Sequence, residues 1–382
     1  MSFHIGEAPS SNKPPPPKPT PKPNLFPTKK TLSDGRTVWI SLPQLDHLTI
    51  IVPIHKAIYN SAVPQDMSVE AFANGLGTYL KSEPYNAHWA GGSLWPDPVT
   101  KVVRWSKAAL LFGGRQSVVH FSLHKKGGNR FRIDFNPRKL GLAGFKQLAL
   151  VLGGANSPFD FEELIQSSWI SRFDVAVDLV GVAISDVVAH HKNQGKRVLY
   201  VGAHGSLESI YINRKKPVVE PKYDSSGLLK KPTHGPYPAG KALLRIYDRV
   251  RERADLGNPP PFGPAPVTRV ELMVTVKKRP LSALGAVLDP LKLLKLGMIW
   301  SQFDLGAEDN AGTWARYASL RKTHSHSAAL SLIGRKDSGH SVFTCLETVP
   351  EPDLLKPGSS WGGWGKSLKL VGFKQFIGGI LA

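Results

Sequence analysis

The chain has 382 residues, with 49 Lys and Arg against 29 Asp and Glu, for a net charge of +20. Its 41% hydrophobic content excludes global disorder, and Cys345, its single cysteine, excludes a disulfide scaffold. No apolar run reaches the ~18 residues of a membrane helix, and the surplus positive charge favours a polyanionic partner, nucleic acid first among them.

Residues 1–37 read as a disordered Pro/Lys-rich arm: Lys13 to Pro23, KPPPPKPTPKP, is a polyproline II tract with spaced lysines and little to bury. The Met1-Ser2-Phe3-His4 start has no apolar signal region, so a reducing, cytoplasmic setting is expected. Folded sequence is expected from Val38, with a strand over Leu45–Val52 and a helix over Asp66–Lys81. Strands follow at Lys101–Trp105, Ala108–Phe112, Ser117–His124 and Arg130–Phe135, punctuated by Gly113-Gly114 and Gly127-Gly128 hairpin turns. Helical spacing marks Phe145–Leu152, Phe159–Ser167 and Asp186–Asn193, with a strand at Ile170–Val180. Leu199–Val201, Ser206–Ile212, Ala242–Val250 and Arg269–Val276 read as strands, with Val250 onward open to a helical reading. A Lys/Pro/Gly-rich insertion, 214–240, interrupts them. From Pro280 the spacing predicts helices over Leu281–Leu288, Leu291–Phe303 and Ala311–Ile333, and a basic amphipathic helix over Ser367–Ala382 that packs on the domain. The expected class is α+β: an antiparallel sheet core with flanking helices over 38–278, then a helical C-terminal region over 279–382.

Two motifs mislead. Gly365-Lys366-Ser367 resembles the end of a phosphate-binding loop, but Ser360 stands where the pattern needs glycine, and the glycines with Trp361 and Trp364 read better as a surface or docking turn. His324-Ser325-His326 has the spacing of a metal pair only on a strand; its flanks are helix formers, on which i and i+2 side chains diverge.

The run Ser171-Arg172-Phe173-Asp174-Val175-Ala176-Val177-Asp178-Leu179 carries the chemistry. Period two puts Arg172, Asp174, Ala176 and Asp178 on one face, and Phe173, Val175, Val177 and Leu179 on a core face. Arg245, Tyr247 and Arg249 share a face in the same way, as do Arg269, Glu271 and Met273. If these strands pair, one surface gathers carboxylates, arginines and a tyrosine, a set suited to phosphodiester chemistry. Carboxylates hold a hard divalent metal, Mg²⁺ or Mn²⁺; arginines grip phosphate oxygens; a tyrosine oxygen can attack phosphorus and keep the strand end covalently. Asp174 and Asp178 lie ~13 Å apart along a regular strand, so one Asp with Glu271 is the more plausible metal pair. Asp174 is preferred because it is nearer the strand's middle.

These motifs, 170–179, 205–212, 243–249 and 268–272, in this order and with Leu45-Asp46-His47-Leu48-Thr49 and Asn136-Pro137-Arg138-Lys139-Leu140 upstream, resemble the rolling-circle replication initiation proteins of plasmids and filamentous phages over about residues 45–275. The resemblance implies a metal-dependent, site-specific nick at a replication origin in a bacterial host. Tyr247 would form the 5′-phosphotyrosine and leave a free 3′-OH, with metal ligands among Asp174, Asp178 and Glu271. Arg172, Arg245, Arg249 and Arg269 would serve the phosphates. Arg249 stands where the family usually has lysine; arginine keeps the charge of a phosphate clamp and gives up proton transfer. The 214–240 insertion, with Lys215, Lys216, Lys222, Lys230 and Lys231, separates strands that the family joins by a short turn, and reads as a DNA-contacting loop or a solvated insertion. Expected partners are origin DNA, supercoiled or single-stranded, and a host helicase and polymerase, with a homodimer left open and no membrane. Two rival readings are a DNA-binding protein without chemistry, such as a degenerate initiator or repressor, and another phosphoryl-transfer enzyme, such as a relaxase, transposase or recombinase.

Overall fold

The computed structural model describes residues 25–31, 36–54, 69–82, 88–96, 103–112, 117–123, 130–191, 194–201, 207–214, 242–298 and 361–378, with scattered positions between 316 and 355. The described strands are β1 (Thr28–Thr31), β2 (Thr37–Ile40), β3 (Gln44–Pro53), β4 (His88–Pro96), β5 (Val103–Phe112), β6 (Ser117–Leu123), β7 (Arg130–Phe135), β8 (Trp169–Val180), β9 (Val187–His191), β10 (Gln194–Val201), β11 (Leu207–Arg214), β12 (Ala242–Asp248), β13 (Pro261–Pro264), β14 (Val267–Pro280) and β15 (Leu294–Met298). Twelve of them form one sheet, in the order β10-β11-β12-β14-β8-β3-β7-β6-β5-β4, with β2 also paired to β8 and carrying β1. The central pairings, β12 with β14, β14 with β8 and β8 with β3, are all antiparallel.

Alternation decides which face is dry. Phe173, Val175, Val177 and Leu179 of β8 are fully buried, and Leu45, Leu244, Ile246, Val270 and Leu272 from neighbouring strands join the same core. Helix α1 is Val69–Lys81. Asn136 accepts from the Lys139 N–H and Pro137 occupies the first turn, so α2 (Pro137–Gly153) starts directly after β7. Asp160 caps α3 (Phe161–Ser167), and Asp248 caps α4 (Arg249–Asp255) by accepting from the N–H groups of Val250 and Arg251. Near the C-terminus, α5 (Trp364–Leu370) and α6 (Phe373–Ile377) lie against this core: Trp364 sits 6.2 Å from the Phe173 ring, and Phe145 of α2 meets Phe376 at 5.1 Å.

The mixed helix and antiparallel-sheet class is as expected; several elements are not. The helix expected over Asp186–Asn193 is strand β9, and that over Leu291–Phe303 contains strand β15, which pairs with β9. The Val187-Val188 pair favours extended backbone, and Leu294 and Leu296 alternate inward at strand spacing. The two strands expected between Lys101 and Phe112 are one, β5, and it pairs with β4, where the sequence predicts no strand. Ordered backbone begins ahead of Val38, since β1 pairs with β2 and Phe26 is buried edge-on to Phe262 at 5.0 Å. The expected C-terminal helix is broken at Gly372, whose φ of +88° suits glycine alone, and a Cβ there would lie 2.9 Å from the Leu142 Cα. Gly365-Lys366-Ser367 lies within α5, with Ser367 buried. The His324 ring lies 2.7 Å from the Thr323 hydroxyl, and His326 is outside the described residues. Among the described residues no helix is long and apolar enough to cross a membrane.

Candidate active site

Strand register assembles the site in rows on the face opposite the core. Tyr247 lies opposite Arg269, which lies opposite Asp178. One row along, Tyr211, Arg245, Glu271, Ala176 and Gln44 stand in line across β11, β12, β14, β8 and β3. Met273, Asp174 and His47 follow, then Thr275, Arg172, Thr49 and Asp134. The registers Leu45↔Val175 and His47↔Asp174 leave Asp46 as an extra residue, a bulge. Without it, strict alternation from Leu48 would turn Asp46 toward the core; with it, the carboxylate reaches Arg269.

Charge on this face is buried and closely matched. Arg269 is 0% exposed; its Nη2 donates to Asp46 Oδ1 at 2.9 Å, and Nη1 stands 3.7 Å from Asp178 Oδ1. Burial works against its charge, but Asp178 and Asp46 outweigh it and hold the guanidinium firmly protonated. For Asp46, burial raises the pKa, and Arg269, Arg138, Asn136 and Arg249 together overcome it and lower it. Arg138, in the first turn of α2, approaches Asp178 Oδ2 at 3.8 Å; burial, then Arg269 and Arg249, depress its pKa. Arg172 binds Asp174 through both carboxylate oxygens, with Nε to Oδ1 at 2.8 Å. Asp134 accepts from Thr49 and from Arg132, and lies 3.3 Å from His47 Nε2; together they hold it well below the usual carboxylate range despite burial.

Two groups are pushed the other way. Burial raises the Tyr247 phenol above its ordinary value, and Glu271, Glu252 and Asp46 add to the rise while Arg269 opposes it. The Glu271 carboxyl is pushed up to about 7, first by burial, then by repulsion from Asp46 and Asp174. Its Oε2 is buried without a hydrogen-bond partner, and Arg245 Nη1 lies 3.8 Å away.

The structure thus brings together Tyr247, Arg245, Arg269, Glu271, Asp178, Asp174 and Arg172. It does not place Arg249 on their face. β12 ends at Asp248, which caps α4, so Arg249 opens the helix and pairs with Glu252, acting on the site through its charge at Asp46 and Arg138. Lys215 and Lys216 lie outside the described residues. As a metal site the expected set fits in part. Glu271 offers a buried, unpartnered oxygen beside two other carboxylates, which is what a cation would relieve. Asp174 spends both oxygens on Arg172, and Asp178 meets Gln44, Arg138 and Arg269. Among the described residues no three His, Cys, Asp or Glu side chains stand close enough to share an ion. Asp46, Arg138, His47 and Asp134 were not expected in the site. The bulge that turns Asp46 out depends on a pairing partner far away in sequence, and Arg138, from the first turn of α2, meets Asp178 of the distant β8. A cavity of about 290 Å³ opens at this end of the sheet, with Gln44, Arg138, Asp178 and Arg249 on its polar side and Phe262 and Leu370 on its apolar side.

No family model matches the chain, and no curated protein matches it. Among solved structures, a rolling circle replication initiator protein from Geobacillus stearothermophilus is similar over 74% of this chain and 97% of that one, at 12% identity and a TM-score of 0.31.

Proposed function

We propose that the protein nicks one DNA strand at a replication origin and initiates rolling-circle replication, with Tyr247 as the nucleophile. The observation that carries this reading is the row Tyr247–Arg269–Asp178 beside Arg245–Glu271, which sets a phenol among two arginines and two carboxylates on one sheet face. The order of motifs in the sequence supports it. In this reading the Tyr247 oxygen attacks phosphorus, the 3′-oxygen leaves, and the 5′ end remains on the enzyme until a 3′-OH displaces it. Arg245 would hold the non-bridging oxygens as charge builds on them. Arg269 is already engaged by Asp46 and Asp178 and would act by keeping a fixed positive charge beside the phenol.

Glu271 would hold the divalent ion, Mg²⁺ or Mn²⁺, with Asp174 contributing once Arg172 turns to a phosphate. Magnesium suits so sparse a site, since it commonly binds one or two carboxylates with water and substrate phosphate completing its shell. When bound, the ion would polarise the phosphate and lower the pKa of the neighbouring phenol. A supercoiled-plasmid nicking assay tests the reading: nicked circles are expected with Mg²⁺ or Mn²⁺ and none in EDTA. Full cleavage in EDTA would remove the metal from the reaction. The second reading, a DNA-binding protein without chemistry, is favoured by the burial of Tyr247, 3% exposed. It predicts DNA binding with no covalent protein–DNA adduct under any metal.

A further inference from the structure

An aromatic and cationic ladder runs across the sheet from its end strand to Tyr247. Tyr200 on β10, the terminal strand in the sheet order, is 55% exposed. Its ring meets that of Tyr211 on β11 edge-on, with centroids 5.0 Å apart and planes at 67°. The Arg245 guanidinium lies over Tyr211 at 5.6 Å and over Tyr247 at 4.2 Å, and its Nε is buried without a hydrogen-bond partner. The rungs pass from open at Tyr200, through half-buried Tyr211 and Arg245, to buried Tyr247.

A cross-strand tyrosine pair adds some sheet stability, but that role does not need a ring more than half in solvent or an arginine threaded between the next two rings. Rings and a guanidinium plane presented on a sheet face suit unstacked bases, which have π-faces to offer. Paired bases inside a duplex present only their edges. The charge of +20 favours a polyanion on such a surface over a neutral or basic peptide.

We propose that single-stranded DNA crosses β10, β11 and β12 with successive bases stacked on Tyr200 and Tyr211, so that its backbone passes Arg245 on the way to Tyr247. This deepens the nicking reading and rests on it for the identity of the nucleic acid. It makes the substrate unpaired on the side of the scissile phosphate nearer β10. It also gives Tyr211 a role in binding, through its ring.

The test measures binding of a labelled mixed-sequence single strand by fluorescence anisotropy, using full-length protein carrying Tyr247→Phe so that no chemistry intervenes. Tyr200→Ala and Tyr211→Ala should each weaken binding by roughly tenfold, in the range of one lost base–aromatic stack. Tyr200→Phe and Tyr211→Phe should stay within about twofold of the parent, because the ring does the stacking. The slope of affinity against salt should not change, since no charge is removed. A strand with abasic positions should bind the parent more weakly, and Tyr200→Ala should add little further loss on that strand. Unchanged binding by both Ala variants, an equal loss with Phe, an equal loss on duplex DNA, or failure of the parent to bind single strands would each overturn the ladder. Circular dichroism and melting of the Ala variants separate a lost contact from a lost fold. A protein that never nicks but shows the ladder dependence would defeat the nicking reading and keep the track. A protein that nicks while both Ala variants bind normally would do the reverse.

Discussion

At the scale of single residues, two protonation states govern the site. Tyr247 is held protonated by burial and by its acidic neighbours, so under the proposed mechanism its oxygen would need the substrate complex before attacking. Tyr247→Phe keeps the ring under Arg245 and removes only the phenol oxygen, the proposed nucleophile. DNA binding should persist and the covalent adduct should vanish from denaturing gels; an adduct that survives the change would move the chemistry to another residue. Glu271 titrates near neutrality, at about 7, against about 4.3 for an unperturbed glutamate. The folded protein therefore holds this proton more tightly than the unfolded chain. The stability it lends is complete below the unfolded value and is lost as pH rises through 7. Asp46 and Asp134 act with the opposite sign: their lowered values lend stability that is lost as pH falls. Glu271→Gln should thus melt a few degrees above the parent at pH 8 and level with it at pH 4. At pH 8, Mg²⁺ should raise the melting temperature of the parent and not of the variant, and the variant should not nick. Equal melting of the two proteins at both pH values would show that the carboxyl is not forced into its neutral form.

At the scale of elements, the active face depends on what supports β8 from behind. Trp364 is 2% exposed, stacks on Trp361 at 4.7 Å, contacts Phe173 and donates from Nε1 to the Leu284 carbonyl at 3.0 Å. Phe173 lies on β8 between Arg172 and Asp174, so the C-terminal helices sit directly beneath the carboxylate row. Trp364→Ala should cost ~3–5 kcal/mol in chemical denaturation. Gly372→Ala should also destabilise, by about 1–3 kcal/mol, because its φ of +88° is strained for any Cβ and the new carbon would meet backbone at 2.9 Å. Gly257 is the control: its φ is +68°, but nothing lies within 4 Å of an added Cβ, so Gly257→Ala should cost less. Equal losses at the two glycines would mean that the contact with Leu142 contributes nothing.

At the scale of the whole molecule, charge and the N-terminal boundary can be separated by truncation. Deleting residues 1–24 removes Lys13, Lys18 and Lys22 and no described contact. It should flatten the salt dependence of DNA binding slightly and leave nicking intact. Deleting 1–37 also removes Phe26, packed on Phe262, and β1, paired to β2, which in turn pairs with β8. That longer truncation should lower the melting temperature, and any loss of nicking should track the loss of fold. Nicking lost in the shorter truncation, with melting unchanged, would place part of the active site in the arm.

The sequence by itself determined which residues share a face on β8, β12 and β14, and that helical segments fall within α2 and α3, although α2 starts at Pro137, ahead of the expected Phe145. Alternation and capping are local: Asp174 points away from the side of Phe173 because of the pleat, and Asn136 caps the Lys139 N–H three residues on. The sequence therefore held Tyr247, Arg245, Arg269 and Glu271 in legible form, and overextended only at Arg249, where Asp248 turns strand into helix. Only the tertiary structure decided what those residues do to one another. Asp46 reaches Arg269 across 223 positions of sequence, through a bulge that no local pattern announces. Arg172 takes up Asp174, and burial first, then the charges of Asp46 and Asp174, raise the pKa of Glu271. Helix against strand at β9 and β15 was settled in the same way, by pairing. Burial and electrostatic potential are sums over neighbours that the chain supplies from distant segments, so they come into being only when the sheet closes its register.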